Sequence, residues 1–207
     1  YLGRVALSHR RTGRPENAIL HMRQNGESVP QYGRFQVSFD LRRTYSNPFD
    51  PDIVSASGVF IRPDGSRVRV PAFFYQGYSR RLHDGREKLT PRGGRHWKVR
   101  FAPRRTGLYH YYLEVRDGDR LRSPVKTFRA TSPNDTKQGR GFVRADGESG
   151  YFAFDDGSLF YPIGHNIAAP RNFRRSGLPG SMPRGQGTYT YDRLLERMGR
   201  NGGNFGR

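Results

Sequence analysis

The stretch HWKVRFAPRRTGLYHYYLEVRD, residues 96–117, decides the fold. Its first run, His96–Pro103, alternates apolar and polar residues. A turn at Arg105-Thr106-Gly107 leads into a second run, Leu108–Asp117, in which Tyr109, Tyr111, Leu113 and Val115 share one face. A period of two is the signature of a strand with one face buried and the other in water.

Working outward, the same texture recurs. Phe35, Val37, Phe39 and Leu41 alternate with Gln36, Ser38, Asp40 and Arg42. SNPFDPD (46–52) is a turn cluster in which Pro48 and Pro51 stop any helix. SGVFIRPDGSRVRVP (57–71) is two runs joined by Pro63-Asp64-Gly65, where proline fixes φ and glycine supplies positive φ. AFFYQGY (72–78) continues the apolar surface, VRDGDRLR (115–122) holds a second Asp-Gly hairpin, and VKTFRAT (125–131) closes the series. Such a series, about seven short strands with frequent turns and no helix, predicts an immunoglobulin-like antiparallel β-sandwich over residues 34–132. The chain has no cysteine, so the core must hold without an inter-sheet disulfide, and Trp97, the single tryptophan, is expected to anchor it.

Residues 1–33 read as an N-terminal strand and loop segment: RVALSHR (4–10) as a strand, Gly13–Pro30 mostly as loop. Residues 133–157 read as a polar linker and a β-hairpin turning at Asp155-Asp156-Gly157. Beyond it the texture changes. Leu159–Ile163 is an apolar strand, and a Gly/Pro/Arg-rich loop runs from Ala168 to Gly187. TYTYDRLLERMGRNGG (188–203) is the one good helix, with Tyr191, Leu194, Leu195 and Met198 at helical spacing. Thr188 or Thr190 is expected to cap it, and Gly199 or Gly202 to end it. Asn204-Phe205 then starts a further strand. Strand, loop, helix, strand is one βα unit and the beginning of another, as in a parallel α/β array.

The 207 residues carry 37 basic and 18 acidic side chains, a net charge of +19, and all but four of the basic residues are arginine. The charge is +3 over residues 1–33, +12 over 34–132, −2 over 133–157 and +6 over 158–207. There is no basic tail and no basic helical stripe, which weighs against nucleic acid as the partner. Arg67, Arg69, Arg100 and Arg116 sit between apolar residues, as solvent-facing positions of a sheet would. Two readings of the charge stay open: a solvated arginine face, and an anion-binding surface. No apolar run is long enough for a membrane span, and no thiol chemistry or disulfide scaffold is possible. The chain opens YLGR without a leader, so a processed or truncated N-terminus is expected.

Few residues carry chemistry on their own pattern. Asp155-Asp156 reads as turn chemistry. The six histidines show no pair at metal-ligand spacing, so no metal or other cofactor is expected. Gly139-Arg-Gly141 and Gly185-Gln-Gly187 lack the third glycine of a dinucleotide fingerprint. His110 and Tyr112 form either an ordinary sheet face or an exposed aromatic face suited to stacking sugars.

The run FQVSFDLRRTYSNPFDPDIVSASGVFIRPDG, with VRVPAFFYQGY, WKVRFAPRRTGLYHYYLEVRD and YFAFDDGSLFYPIGHN, resembles a bacterial arrangement. It is similar to an N-terminal immunoglobulin-like module, long called a domain of unknown function, that precedes a (β/α)8 barrel in bacterial proteins described as glycoside hydrolases. The resemblance implies that residues 158–207 begin a barrel, with Gly157–Asn166 as its first strand. It implies a secreted or cell-surface carbohydrate-active enzyme with a carbohydrate substrate. It also implies a substrate-binding rim to which His165 and Asn166 give hydrogen bonds to sugar hydroxyls, with Arg207 supporting a nucleophilic carboxylate. A full barrel needs about 250 residues, so the chain is expected to be the front of a longer enzyme, or a subunit of a larger assembly, with its catalytic carboxylates elsewhere. At Gly206 the sequence departs from the family pattern, which has an apolar residue there. A second reading makes the chain a non-catalytic basic β-sandwich that grips an anionic glycan, nucleic acid or an assembly partner.

Overall fold

The period-two runs do form strands in the computed structural model, which describes residues 17–134, 139–148, 150–167 and 186–206. The expected strand at 4–10, most of the 168–187 loop, and Arg207 lie outside the described residues. The chain is mainly β, built of several antiparallel sheets, and groups into two units. One comprises the chain up to Tyr75 together with His96–Pro133; the other comprises Gln76–Arg95 and the chain from Asn134 onward.

One sheet has the order β1 (Ile19–Gln24), β3 (Phe35–Leu41), β7 (Arg86–Phe101), β6 (Phe73–His83), and it lies in the first unit except for the outer parts of β6 and β7 between Gln76 and Arg95, which belong to the second. The other has β2 (Ser28–Pro30), β10 (Lys126–Thr131), β8 (Gly107–Arg116), β4 (Ser55–Ile61), β5 (Arg67–Pro71), with β9 (Arg120–Arg122) also on β8. The ladder of β2 with β10 is parallel, while β3–β7, β4–β8 and β8–β10 are antiparallel. Inward residues of both sheets meet in one core: Phe35, Val37, Phe39, Trp97 and Val99 from the first, and Phe60, Tyr109, Tyr111, Leu113, Val115 and Phe128 from the second. Rings stack across it, with Phe35 on Phe128 at 3.8 Å between centroids and Phe60 on Phe101 at 4.2 Å. Arg67, Arg69, Arg100 and Arg116 are all exposed, on the opposite faces.

Two elements depart from the sequence reading. The stretch Gly13–Pro30, expected to be mostly loop, contains β1 and β2. The register of β1 on β3 shifts between Leu20 and Arg23, and His21 lies at φ +48°, so a bulge breaks the alternation that would have revealed the strand. The polar stretch 80–95 is also strand. It forms the outer parts of β6 and β7, which reverse at Asp84 and Gly85 (φ +50° and +71°), and most of its side chains are exposed. With no face buried, no apolar period marks it.

In the second unit β11 (Val143–Ala145), β12 (Phe152–Phe154) and β13 (Leu159–Phe160) form an antiparallel sheet. Asp155 and Asp156 serve its turns: Asp156 accepts hydrogen bonds from the Ser158 amide (2.8 Å) and hydroxyl (2.6 Å), and Asp155 accepts from the Phe142 amide. The apolar run Leu159–Ile163 is not one strand. Only Leu159–Phe160 is strand, completing that sheet, and a separate strand, β14 (Gly164–His165), follows after three residues, so Gly157–Asn166 is not the single strand expected from the resemblance. Helix α1 (Thr188–Arg200) precedes β15 (Phe205–Gly206), which pairs in parallel with β14.

One buried polar cluster ties loops together at an end of the first unit. The Asp117 carboxylate, fully buried, accepts hydrogen bonds from Asn17 (2.8 Å), Tyr45 (2.8 Å) and Arg43 (3.0 Å). Burial by itself would raise the Asp117 pKa, but the bonds from Tyr45 and Arg43 outweigh it and hold the carboxyl below its ordinary value. Burial, then the hydrogen bond to Asp117, pushes Tyr45 up to about 12, and burial alone does the same to Tyr111.

Removing a ring from the stacked core should be costly. Phe128→Ala is expected to lower the unfolding free energy by about 3–5 kcal/mol in urea titration. The titrating groups set the limits on pH. Asp117 has a depressed folded pKa, so its contribution is whole at neutral pH and is lost as pH falls through that value. The two tyrosines have raised folded pKa values, so theirs is whole below about 10 and lost as pH rises toward about 12. Chemical denaturation across pH checks this: Asp117→Asn should flatten the acid limb and weaken only the share of the alkaline limb that Tyr45 owes to the Asp117 carboxylate, while the share of Tyr111, raised by burial alone, stays.

Candidate functional site

The short parallel pair of β14 and β15 carries two of the three residues expected to bind substrate, His165 in β14 and Asn166 just after it. Gly164 opens β14, and a Cβ there would collide with the Phe205 carbonyl oxygen, so only glycine lets the two strands approach. Asn204 locks the register. Its Oδ1 accepts from the Ile163 amide (2.8 Å), its Nδ2 donates to the Tyr161 carbonyl (3.0 Å), and its own amide donates to the Ile163 carbonyl (2.8 Å). In this register His165 lies opposite Gly206. His165 and Asn166 are both exposed at the C-terminal end of β14. The two are neighbours in sequence and stand side by side, while Arg207 lies beyond the described residues.

Helix α1 is held at both ends. Thr188 and Thr190 do not cap it: Gly187 occupies the N-cap and supplies no side-chain bond. Capping comes from afar, because the Glu87 carboxylate accepts from the Thr188 amide (3.0 Å) and hydroxyl. These bonds hold the Glu87 carboxyl below its ordinary pKa, and its charge complements the helix dipole. Arg80 pairs with Asp192, bonds the Thr188 hydroxyl oxygen (2.8 Å), and lies 4.3 Å from the Tyr189 ring centroid. Glu87 and Arg80 both come from the polar hairpin that carried no sequence signal. At the other end Gly199 is inside the helix. Asn201 is the C-cap, and Gly202 at φ +78° lets Gly203 and Gly202 donate to the carbonyls of Met198 (2.8 Å) and Gly199 (3.1 Å). This double bond pattern ends a helix without strain.

The outer face of the second sheet holds a different arrangement. The β8–β9 hairpin sets Arg116 opposite Arg120 and Glu114 opposite Arg122, and β4 sets Ser55 opposite Arg116 and Ser57 opposite Glu114. Arg69 pairs with Glu114. Between these residues runs a groove of about 340 Å³, lined by Arg69, Glu114, Arg116, Arg120, Leu121 and Arg122. Tyr112 is buried, with the Arg122 guanidinium 3.7 Å from its ring centroid, so it and the exposed His110 do not form an open aromatic face. The signal for this groove stood in VRDGDRLR, because an Asp-Gly hairpin forces the flanking arginines into register. Among the described residues no three of His, Asp and Glu gather to hold a metal, and no helix is long and apolar enough to cross a membrane.

Gly164→Ala is expected to unpair β14 from β15. Amide exchange should then accelerate at Asn204 and Phe205 while the amides of β8 keep their protection.

A family described as "Domain of unknown function (DUF5060)" matches residues 28–116. No curated protein matches the chain. Among solved structures, a "putative glycoside hydrolase" from Bacteroides vulgatus aligns with 70% of this chain at 26% identity and a TM-score of 0.50. The chain spans only 23% of that protein's length. The alkylpurine DNA glycosylase AlkC of Pseudomonas fluorescens aligns with 56% of this chain and 31% of its own at 14% identity, with a TM-score of 0.33, too low to carry an argument. The chain is thus a mainly β protein related to a glycoside-hydrolase-like protein, matching a family of unstated function over the central strands.

Proposed function

We propose that the chain is the N-terminal portion of a secreted or cell-surface glycoside hydrolase. In this reading residues 34–132, with β1 and β2 added to their sheets, are an immunoglobulin-like β-sandwich serving as accessory module. Residues 133–157 are linker and hairpin, and residues 158–207 begin a (β/α)8 barrel. The observation that carries it is the parallel pairing of β14 with β15 on either side of α1, directly after a β-rich unit. Parallel neighbours need a crossover, and a strand–helix–strand crossover is the repeating unit of such a barrel. The Bacteroides neighbour, of which this chain spans the smaller part, supports the same assignment.

Barrel enzymes bind substrate at the C-terminal ends of their strands. His165 and Asn166 stand at that end of β14, exposed and adjacent. Their side chains offer a ring nitrogen pair and an amide, groups that donate to and accept from sugar hydroxyls. Hydrolysis itself would need two carboxylates flanking the glycosidic bond, about 5–5.5 Å apart in a retaining enzyme and farther in an inverting one. Those carboxylates would come from strands beyond residue 207.

The test is reducing-end release from polysaccharides by the longer parent protein. His165→Ala and Asn166→Ala are each expected to raise KM about tenfold, one lost hydrogen bond's worth in a site built to make it. A continuation that shows no further strand–helix alternation, or a parent protein inert on every glycan, would sink the reading.

A further inference from the structure

We propose that the arginine-lined groove across β4, β5, β8 and β9 binds an acidic polysaccharide, taking the carboxylate or sulfate groups of its sugars. The proposal rests on the reading of the chain as part of a carbohydrate-active enzyme and adds a second, non-catalytic contact with the glycan.

The register itself points to an anion. Arg116 lies directly opposite Arg120, and like charges facing across a strand pair destabilise the sheet unless something negative lies between them. Neither is ion-paired among the described residues, and both line the groove. Glu114, the one carboxylate of the lining, is already paired with Arg69. The two carboxylates of the intervening turn, Asp117 and Asp119, both bind Arg43, so Arg116, Arg120 and Arg122 face the groove with no carboxylate ion-paired to them among the described residues.

The geometry then favours a saccharide over nucleic acid. Single-stranded nucleic acid is gripped by exposed aromatic rings on which bases stack. Here Tyr112 is buried and its ring is covered by Arg122, which the contact orients. The cations are all arginine, whose planar fork meets a carboxylate or sulfate with two parallel hydrogen bonds. A second hollow of about 280 Å³ adjoins the first through Arg69, Glu114 and Arg116 and adds the hydroxyls of Ser55 and Ser57. Charged forks beside neutral hydroxyl groups suit a ligand that alternates acid groups with sugar hydroxyls. The volume is in the range of small-ligand clefts rather than of a duplex-sized surface.

Calorimetric titration of the 207-residue chain tests this with four probes: an oligogalacturonate, a heparin-derived sulfated oligosaccharide, a neutral cello-oligosaccharide, and a single-stranded DNA of matched charge. At least one acidic saccharide is expected to bind, more weakly as salt rises, and the tighter of the two identifies the acid group as carboxylate or sulfate. Arg116→Ser with Arg120→Ser should weaken that binding about tenfold or more. Arg34→Ser, just before β3, with Arg100→Ser on β7 of the other sheet, removes the same charge and should leave it unchanged. Both replaced groove arginines are exposed, so the fold should survive, and relief of their repulsion should raise the unfolding midpoint slightly. The proposal is overturned if DNA or the neutral sugar binds as tightly as the acidic ones, if no probe binds, or if the two double variants lose affinity equally. Binding is read on this chain and hydrolysis on the longer protein, so an active enzyme with an inert groove would overturn this inference alone.

Discussion

The stacking of Phe35 on Phe128 is the contact on which the first unit depends. It joins a strand of one sheet to a strand of the other, and Phe60, Phe101, Tyr109 and Tyr111 pack their rings around it. In a chain with no cysteine this cluster does what a disulfide does in antibody domains, by burying aromatic area rather than by restricting the unfolded chain. Two of its rings also carry hydroxyls that find partners: Tyr109 donates to the Arg105 carbonyl, and Tyr111 to Gln24. The core is therefore apolar at its centre and hydrogen-bonded at its margins, and the outer faces are free to be charged.

That freedom explains how a chain of +19 folds at all. In the strands alternation sets Arg67, Arg69, Arg100 and Arg116 beside buried or half-buried residues yet on the outer faces, and Arg43, the buried exception, is paired with the Asp117 carboxylate. Where arginines fall at random on such a face, solvent screens them. Where a hairpin brings two into register, as with Arg116 and Arg120, the face acquires a local field that a flat count of charges does not reveal.

The polar hairpin of β6 and β7 shows a different economy of design. Its outer half buries little, yet Glu87 supplies the helix cap that Gly187 cannot, and Arg80 holds Asp192. Local sequence rules assign caps to Ser, Thr, Asp or Asn beside the helix. Here the cap lies far along the chain, and a local rule has no means of finding it. The same blindness hid β1, whose bulge at His21 scrambles the period that otherwise marks a strand.

What the sequence determined by itself was everything that depends on neighbours within a few residues. The alternating runs set β3, β4, β8 and β10, the Asp-Gly and Pro-Asp-Gly pairs set the hairpins, and Tyr191, Leu194, Leu195 and Met198 set α1. His165 and Asn166 came from no local rule: the apolar run ends at Ile163, and the two residues were singled out by the resemblance of Gly157–Asn166 to a barrel-entry segment. Only the tertiary structure decided which strands share a sheet, that of Leu159–Ile163 only Leu159–Phe160 joins one, and that the arginines flanking an Asp-Gly turn meet in one groove. Side-chain period is a local property of the backbone. Register and capping at a distance are settled by which buried surfaces and unpaired groups find each other once the chain has closed on itself.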